Sequence, residues 1–174
     1  MRFVKMDFEK IYHKNFNQIY GFCYRILGDT ESAKDITQET FFKLFDKMQT
    51  NGKLENYSAW LYRVAINTCK DYLRKKKNYQ RVFKSLQYEH HCENNLDEEY
   101  IRGEKIAKIR SALSKLPTRD QMLIQLNQDG LSYAEIASAL QIKKTSVGKL
   151  LSRAIQKCAN IVRGDYTCHV LKNK

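Results

Sequence analysis

The sequence predicts an all-α protein, with two small helical domains joined by a flexible linker and a helix-turn-helix in the C-terminal one. Three observations point there. The 174 residues include one Pro and seven Gly, too few to turn the many short strands of an all-β fold. Apolar residues recur at three- and four-residue steps, the period of a helix rather than of a half-buried strand. They make up 43 % of the chain, enough to fill real cores and to exclude wholesale disorder.

The elements follow in order. Residues 7–27 set Ile11, Ile19, Phe22, Ile26 and Leu27 at roughly helical spacing. Gly28–Thr30 breaks this helix, and Asp29 or Thr30 is placed to cap the next. That second helix, 31–49, carries Ala33, Ile36, Phe41, Leu44, Phe45 and Met48 on a broad apolar stripe. Thr50–Asn56 is a polar loop around a turn at Asn51–Gly52. A third helix, 58–77, presents Trp60, Leu61, Val64, Ala65, Thr68 and Leu73 as its core face. From Asn78 the periodicity fades and acidic residues gather, as in ENNLDEE (Glu93–Glu99), the composition of a linker. Helical spacing resumes with Ile106, Ile109 and Leu113 and stops before Pro117. Thr118 is placed to cap the next helix, TRDQMLIQLNQ, which Asp129–Gly130 ends. The organisation expected is a domain over 1–77, a linker over 78–106, a second domain over 107–164 and a tail over 165–174.

In LSYAEIASALQIKKTSVGKLLSRA (Leu131–Ala154), Ser132 followed three residues later by Glu135 is a capping-box pattern. Ala134, Ala137 and Leu140 give the helix it opens a small-residue face, which lets a second helix cross closely. Ile142 plugs the turn, and Thr145 is placed to cap the second helix. On that helix Val147, Leu151, Ala154 or Ile155, and Cys158 face inward, which is the plan of a helix-turn-helix. Its other face offers Lys144, Ser146, Lys149, Ser152 and Arg153, with Thr145 at its start. Hydroxyls and long cations at a helix N-terminus can meet base edges and phosphates in the major groove. A packing unit with a solvated basic face is the plain alternative.

Charge favours the DNA reading. Lys and Arg outnumber Asp and Glu 31 to 19. Residues 1–77 carry 15 basic against 9 acidic, 78–107 carry 4 against 6, and 108–174 carry 12 against 4. Two basic blocks flanking an acidic one suit a polyanionic partner, because phosphate contacts release counterions.

Two exposed faces of the first block differ in character. Asp35, Gln38 and Glu39 stand at i, i+3 and i+4 and share one helix face. An acidic and amide face in a basic domain suits a cationic protein partner better than DNA, with a solvated face as the alternative. Asn67, Lys70, Asp71 and Arg74 recur at helical spacing on the third helix, and Lys75–Lys77 continue the charge. Asn can pair bidentately with a base edge, and Lys and Arg neutralise phosphate.

Other chemistry is absent from the pattern. Five cysteines are scattered, odd in number and without a CxxC pair, which fits a reducing compartment. His90–Cys92 and Cys168–His169 match no zinc spacing. No phosphate-binding glycine loop or nucleophile–base pair stands out. The expectation is a protein that is not an enzyme and takes no metal or cofactor. No window holds about 18 consecutive apolar residues and MRFVKMDFEK lacks an apolar signal segment, so a cytoplasmic protein without membrane insertion is expected.

SAKDITQETFFKLF (Ser32–Phe45) and AWLYRVAINTCKDYLRKKK (Ala59–Lys77) resemble the second region of bacterial RNA polymerase sigma factors, in the small extracytoplasmic-function (ECF) form of the sigma-70 family. ALSKLPTRDQMLIQL, GLSYAEIASAL and VGKLLSRA are similar to that family's fourth region. The resemblance covers roughly residues 8–77 and 107–160, in the family's order. It implies a factor that binds core RNA polymerase, opens the −10 element and holds the −35 element. Asp35, Gln38 and Glu39, with Phe42 at the edge, would meet the coiled-coil clamp helices of the β′ subunit. Asn56 and Tyr57 of the preceding loop would read the −10 element together with Asn67, Lys70, Asp71 and Arg74. Lys144, Thr145, Ser146, Lys149, Ser152 and Arg153 would read the −35 element, and the same domain would meet the β flap. Trp60 reads as core rather than as a wedge. The acidic linker would thread the channel later used by RNA, and an anti-sigma factor is implied as a further partner.

Three positions depart from the family pattern. Gln141 stands where Gly is frequent, Gly148 where a cationic contact is common, and Leu150 where Arg is usual. An autonomous helix-turn-helix transcriptional regulator is the alternative function.

Overall fold

The computed structural model describes residues 2–51, 54–83 and 102–164, with side chains for 7–50, 54–79 and 107–164. These residues form seven α-helices and no strand: α1 Arg2–Leu27, α2 Thr30–Asn51, α3 Tyr57–Phe83, α4 Arg102–Ser114, α5 Thr118–Gln128, α6 Tyr133–Leu140 and α7 Lys144–Arg163. The all-α expectation holds. The central part of the acidic linker, residues 84–101, the tail 165–174, and with them His90–Cys92 and Cys168–His169, lie outside the described residues.

In the first unit, α1, α2 and α3 pack on one another. Gly28 ends α1 at φ 69°, a left-handed conformation that glycine adopts without a Cβ penalty. Asp29 then caps α2, its carboxylate accepting the Ser32 N–H at 2.8 Å. That hydrogen bonding to Ser32 holds the Asp29 carboxyl below its usual value. Ile19, Phe22 and Cys23 of α1, Ala33, Ile36, Phe41 and Leu44 of α2, and Leu61, Tyr62, Ala65, Ile66 and Cys69 of α3 form the buried layer. Each large apolar side chain fully buried there contributes about 1.5–3 kcal/mol. Along α1, Phe8, Tyr12, Phe16, Tyr20 and Tyr24 form a ring-to-ring ladder at four-residue steps, with neighbouring centroids 6.0, 4.9, 6.3 and 6.4 Å apart.

The buried arc of α3 lies further round than the sequence suggested. Tyr62, Ile66 and Cys69 are enclosed, whereas Trp60, Val64, Thr68 and Leu73 are half-buried. The reason is a third neighbour: α3 packs on α1 and α2 and also along α6. Trp60 does pack against the core, as expected. The helix also runs on to Phe83, beyond the expected end at Lys77.

In the second unit α7 packs on α4, α5 and α6. Pro117, not Thr118, occupies the N-cap of α5; its carbonyl takes the N–H groups of Asp120 and Gln121 at 2.8 and 3.1 Å. Proline's fixed φ already gives the chain its entry angle, so no side-chain cap is required. The Ser132–Glu135 capping box is present in full. The small-residue face of α6 is shifted: Ile136, Ala137, Ala139 and Leu140 are buried while Ala134 is exposed. Gln141 closes α6 at φ 57°, ψ 47°, the left-handed geometry for which glycine is the usual choice. Thr145 is not the cap of α7; Lys143 holds that position without a side-chain hydrogen bond, and its carbonyl accepts the Ser146 N–H at 2.9 Å. Val147, Leu151 and Ala154 face inward, Cys158 is half-buried and Ile155 is 50 % exposed. Ala154 therefore holds the inward place left open between it and Ile155.

The buried layers of the two units are continuous. α6 lies against α3, and α5 touches α1.

Candidate nucleic-acid interface

Three surfaces emerge from this framework. The first is on α2. Because Ala33, Ile36, Thr37, Thr40, Phe41 and Leu44 turn inward, Asp35, Gln38, Glu39 and Phe42 share the outward face. Phe42 is 72 % exposed, and Glu39 pairs with Lys43 at 2.6 Å. A large apolar ring beside acidic and amide groups is a surface for protein contact rather than for phosphate.

The second surface joins the α2–α3 groove to the start of α3. Ser32, Asp35, Ile36, Glu39, Thr68, Asp71, Tyr72 and Lys75 line the groove, which the Ser32 hydroxyl and the Tyr72 hydroxyl bridge at 2.7 Å. Asn67, Lys70, Asp71 and Arg74 are exposed on α3, and Asp71 is tied to Arg74 at 3.1 Å. Lys76 lies 6.0 Å from the centroid of the Tyr72 ring, a weak cation–π contact between two half-buried side chains. Asn56 is set apart from these four at the N-cap of α3, its Oδ1 accepting the Ala59 N–H at 2.9 Å. Its amide nitrogen donates to Glu135 of α6 at 2.8 Å. Tyr57 is half-buried and packs against the core. Gly52 and Lys53 of the loop lie outside the described residues.

The third surface is the outer side of α7. Lys144, Thr145, Lys149, Ser152 and Arg153 are exposed and Ser146 is half-buried. Lys144, Lys149 and Arg153 make no ion pair among the described residues. Three cations on the first three turns of a helix, anchored by a buried Val147–Leu151–Ala154 stripe, hold charge at a fixed spacing, an arrangement that suits a polyanion. Leu150 is half-buried and packs against the core.

Other contributors escaped sequence reasoning. Tyr133, at the start of α6, lies over α7 at Gly148, where an added Cβ would come within 3.3 Å of its ring. The readable signal was a glycine inside a recognition helix paired with an aromatic residue opening the helix before it. Arg25, Tyr62 and Asp129 join the two units: Asp129 accepts from Arg25 at 2.6 and 2.8 Å and from the Tyr62 hydroxyl at 3.0 Å. Burial first, and then the neighbouring Asp129 charge, push the Tyr62 hydroxyl well above its usual value. The hydrogen bond from Asn56, followed by those of Ser132, holds the Glu135 carboxyl below its usual value. No local pattern announces these pairs, whose partners stand 104, 67 and 79 positions apart. Among the described residues no cluster of His, Cys, Asp and Glu could hold a metal ion, and no helix is long and apolar enough to cross a membrane.

Comparison with known proteins matches both units. Residues 11–79 match the family model for sigma-70 region 2, and residues 106–158 match that for sigma-70 region 4. The chain is 26 % identical over 154 residues to the ECF RNA polymerase sigma factor SigE of Mycolicibacterium smegmatis, covering 87 % of this chain and 60 % of that one. It is 41 % identical over 61 residues to the ECF RNA polymerase sigma factor SigW of Bacillus subtilis, covering 35 % of this chain and 33 % of that one. The match therefore spans less than two thirds of either relative's length. In fold it is similar to the sigma factor RpoE of Bartonella quintana, solved in complex with the anti-sigma factor NepR. The TM-score is 0.73 at 19 % identity, over 91 % of this chain and 98 % of that one.

Proposed function

The chain belongs to the sigma-70 family of RNA polymerase sigma factors, in its extracytoplasmic-function form, and from that premise we propose that it binds core RNA polymerase and directs promoter-specific initiation. The observation that carries this reading is the presence, in one chain, of an exposed acidic–apolar stripe on α2 and an exposed cationic face on α7. The first suits a protein partner and the second suits DNA, which is what a factor that brings an enzyme to a promoter requires.

In this mechanism Asp35, Gln38, Glu39 and Phe42 dock on the β′ clamp helices. Asn67, Lys70, Asp71 and Arg74, with Asn56 and Tyr57, read the −10 element as it opens. Unstacking a base costs a few kcal/mol, which stacking and pocket contacts offset. Lys144, Thr145, Ser146, Lys149, Ser152 and Arg153 hold the −35 element, and the same unit meets the β flap. Engagement of one site raises the effective concentration of the other across the linker, so promoter affinity exceeds that of either alone. The factor contributes no bond-making chemistry, works in the cytoplasm, and is held in check by an anti-sigma factor like the one bound to the Bartonella relative.

Footprinting with and without purified core enzyme tests this. The expected result is protection of two elements, near −10 and −35, that requires core enzyme. Equal protection of one site by the chain alone would instead make it an autonomous helix-turn-helix regulator.

A further inference from the structure

Gly148 leaves a gap on the cationic side of α7. Positions 148, 149, 152 and 153 stand at i, i+1, i+4 and i+5 and share one helix face. Lys149 and Arg153 extend from it, whereas Gly148 has no side chain and Ser152 a short one. Beside them opens a cleft of about 340 Å³, lined at this end by Tyr133, Gly148, Leu151 and Ser152 and continuing past Ile155. The ring of Tyr133 forms one wall, with its Cε2 placed 3.3 Å from where a β-carbon at 148 would stand. That ring is 46 % exposed and Ile155 is 50 % exposed, so apolar surface meets water in the middle of a basic face.

The charge around the cleft has one sign. α7 carries Lys144, Lys149, Arg153, Lys157 and Arg163 and no acidic residue. Lys157 is paired with Asp120 at 2.7 Å, and the other four make no ion pair among the described residues. A polyanion is the complement of such a face, and a helix laid in the major groove brings base edges against it. Phosphate contacts position the helix there, and base contacts specify. Among the donor, acceptor and methyl groups that base pairs display in that groove, the thymine 5-methyl is the one apolar group. The near end of the cleft matches it. Residue 148 has no side chain to donate or accept, and its N–H falls within the helical ladder, because α7 begins four residues earlier at Lys144. The Ser152 hydroxyl is the one side-chain polar group among the four residues there that is not on the Tyr133 ring.

We propose that Tyr133, with Gly148 and Ser152, determines specificity at the −35 element, the ring edge and the bare backbone at 148 receiving the 5-methyl group of one thymine. Lys149 and Arg153 fix the register of the duplex, and the cleft reads the methyl. The proposal rests on the sigma-factor reading for the presence of duplex DNA on α7, and adds what that DNA must display.

The test binds the full chain to core RNA polymerase and lets this holoenzyme select duplexes from a pool randomised over the −35 region. Each thymine of the selected element, on either strand, is then replaced singly by deoxyuridine. That change removes the 5-methyl group and leaves every hydrogen-bonding group in place. Competition binding compares wild type with Tyr133→Ala, Tyr133→Phe and Gly148→Arg, and thermal unfolding checks that each variant is folded. In wild type, loss of the methyl at one thymine should weaken binding about fourfold, the scale of one buried methyl group. Tyr133→Phe keeps the ring and should keep that penalty, whereas Tyr133→Ala should bind thymine and uracil equally. Gly148→Arg leaves Tyr133 in place but fills the cleft, and should shift the selected base from thymine to guanine, the usual partner of arginine in this groove. A selected element in which no thymine is sensitive to the methyl would overturn the proposal. So would a penalty retained in Tyr133→Ala or in Gly148→Arg. A pool from which the holoenzyme selects no upstream element would overturn the sigma-factor reading, and the methyl contact with it.

Discussion

The ring of Tyr133 lies across Gly148, so that a β-carbon added at 148 would stand 3.3 Å from its Cε2. The first helix of the helix-turn-helix thus takes the space that a side chain on the recognition helix would otherwise fill. This close approach is the local reason a glycine fits at 148. Gly148→Ala sets a helix-propensity gain of roughly 1 kcal/mol against displacement of the ring. Tyr133 is 46 % exposed and has room to yield, so thermal unfolding should report a small net stabilisation. A lower melting temperature would mean that the ring is pinned.

Lys149 and Arg153 point outward from α7 and make no ion pair among the described residues. Lys149→Ala with Arg153→Ala should weaken binding to the upstream promoter element and lower the slope of log K against log salt by about two. Surface changes of this kind leave stability within about 0.5 kcal/mol. An unchanged slope would remove both residues from the interface.

Phe42 is 72 % exposed beside Asp35, Gln38 and Glu39. Phe42→Ala should leave the melting temperature almost unchanged, because nothing buried is lost. It should weaken binding to core polymerase by about 1–2 kcal/mol, the scale of an aromatic interface anchor. Calorimetric titration of core enzyme reads the difference, and equal affinity would place Phe42 outside the contact.

Ser132 and Glu135 satisfy each other's backbone N–H groups at the start of α6. Ser132→Ala should cost about 1 kcal/mol in chemical denaturation. Glu135 adds a pH dependence. Its folded-state pKa is depressed from an ordinary 4.5 by the Asn56 hydrogen bond and then by Ser132. The stability it contributes is therefore present above pH 4.5 and is lost as pH falls through the folded-state value. Glu135→Gln should flatten that acid limb, and a wild-type limb retained in the variant would assign it to other carboxylates.

The helical architecture and most of the core were legible because they rest on local signals. The stripe of α2, the cap at Asp29, the box at Ser132 and Glu135 and the inward set Val147, Leu151 and Ala154 all follow from spacing within one element. What escaped depended on contacts between elements. The buried arc of α3 takes in Tyr62, Ile66 and Cys69 because α6 arrives as a third neighbour. Thr118 and Thr145 lost their capping places to Pro117 and Lys143, which already set the entry of the chain into α5 and α7. Arg25 in the last turn of α1 and Asp129 just past the end of α5 carry no local sign of pairing and meet only because the units fold together. The groups expected to touch DNA and polymerase were readable as types and spacing. That Asn56 caps α3 and faces Glu135 was not.

Run-off transcription with purified core RNA polymerase tests the central claim most directly. Core enzyme supplemented with this chain should initiate from discrete sites on cognate genomic fragments, and core enzyme alone should not. No promoter-dependent transcript on any such fragment, from a chain that is folded and bound to the enzyme, would contradict the account.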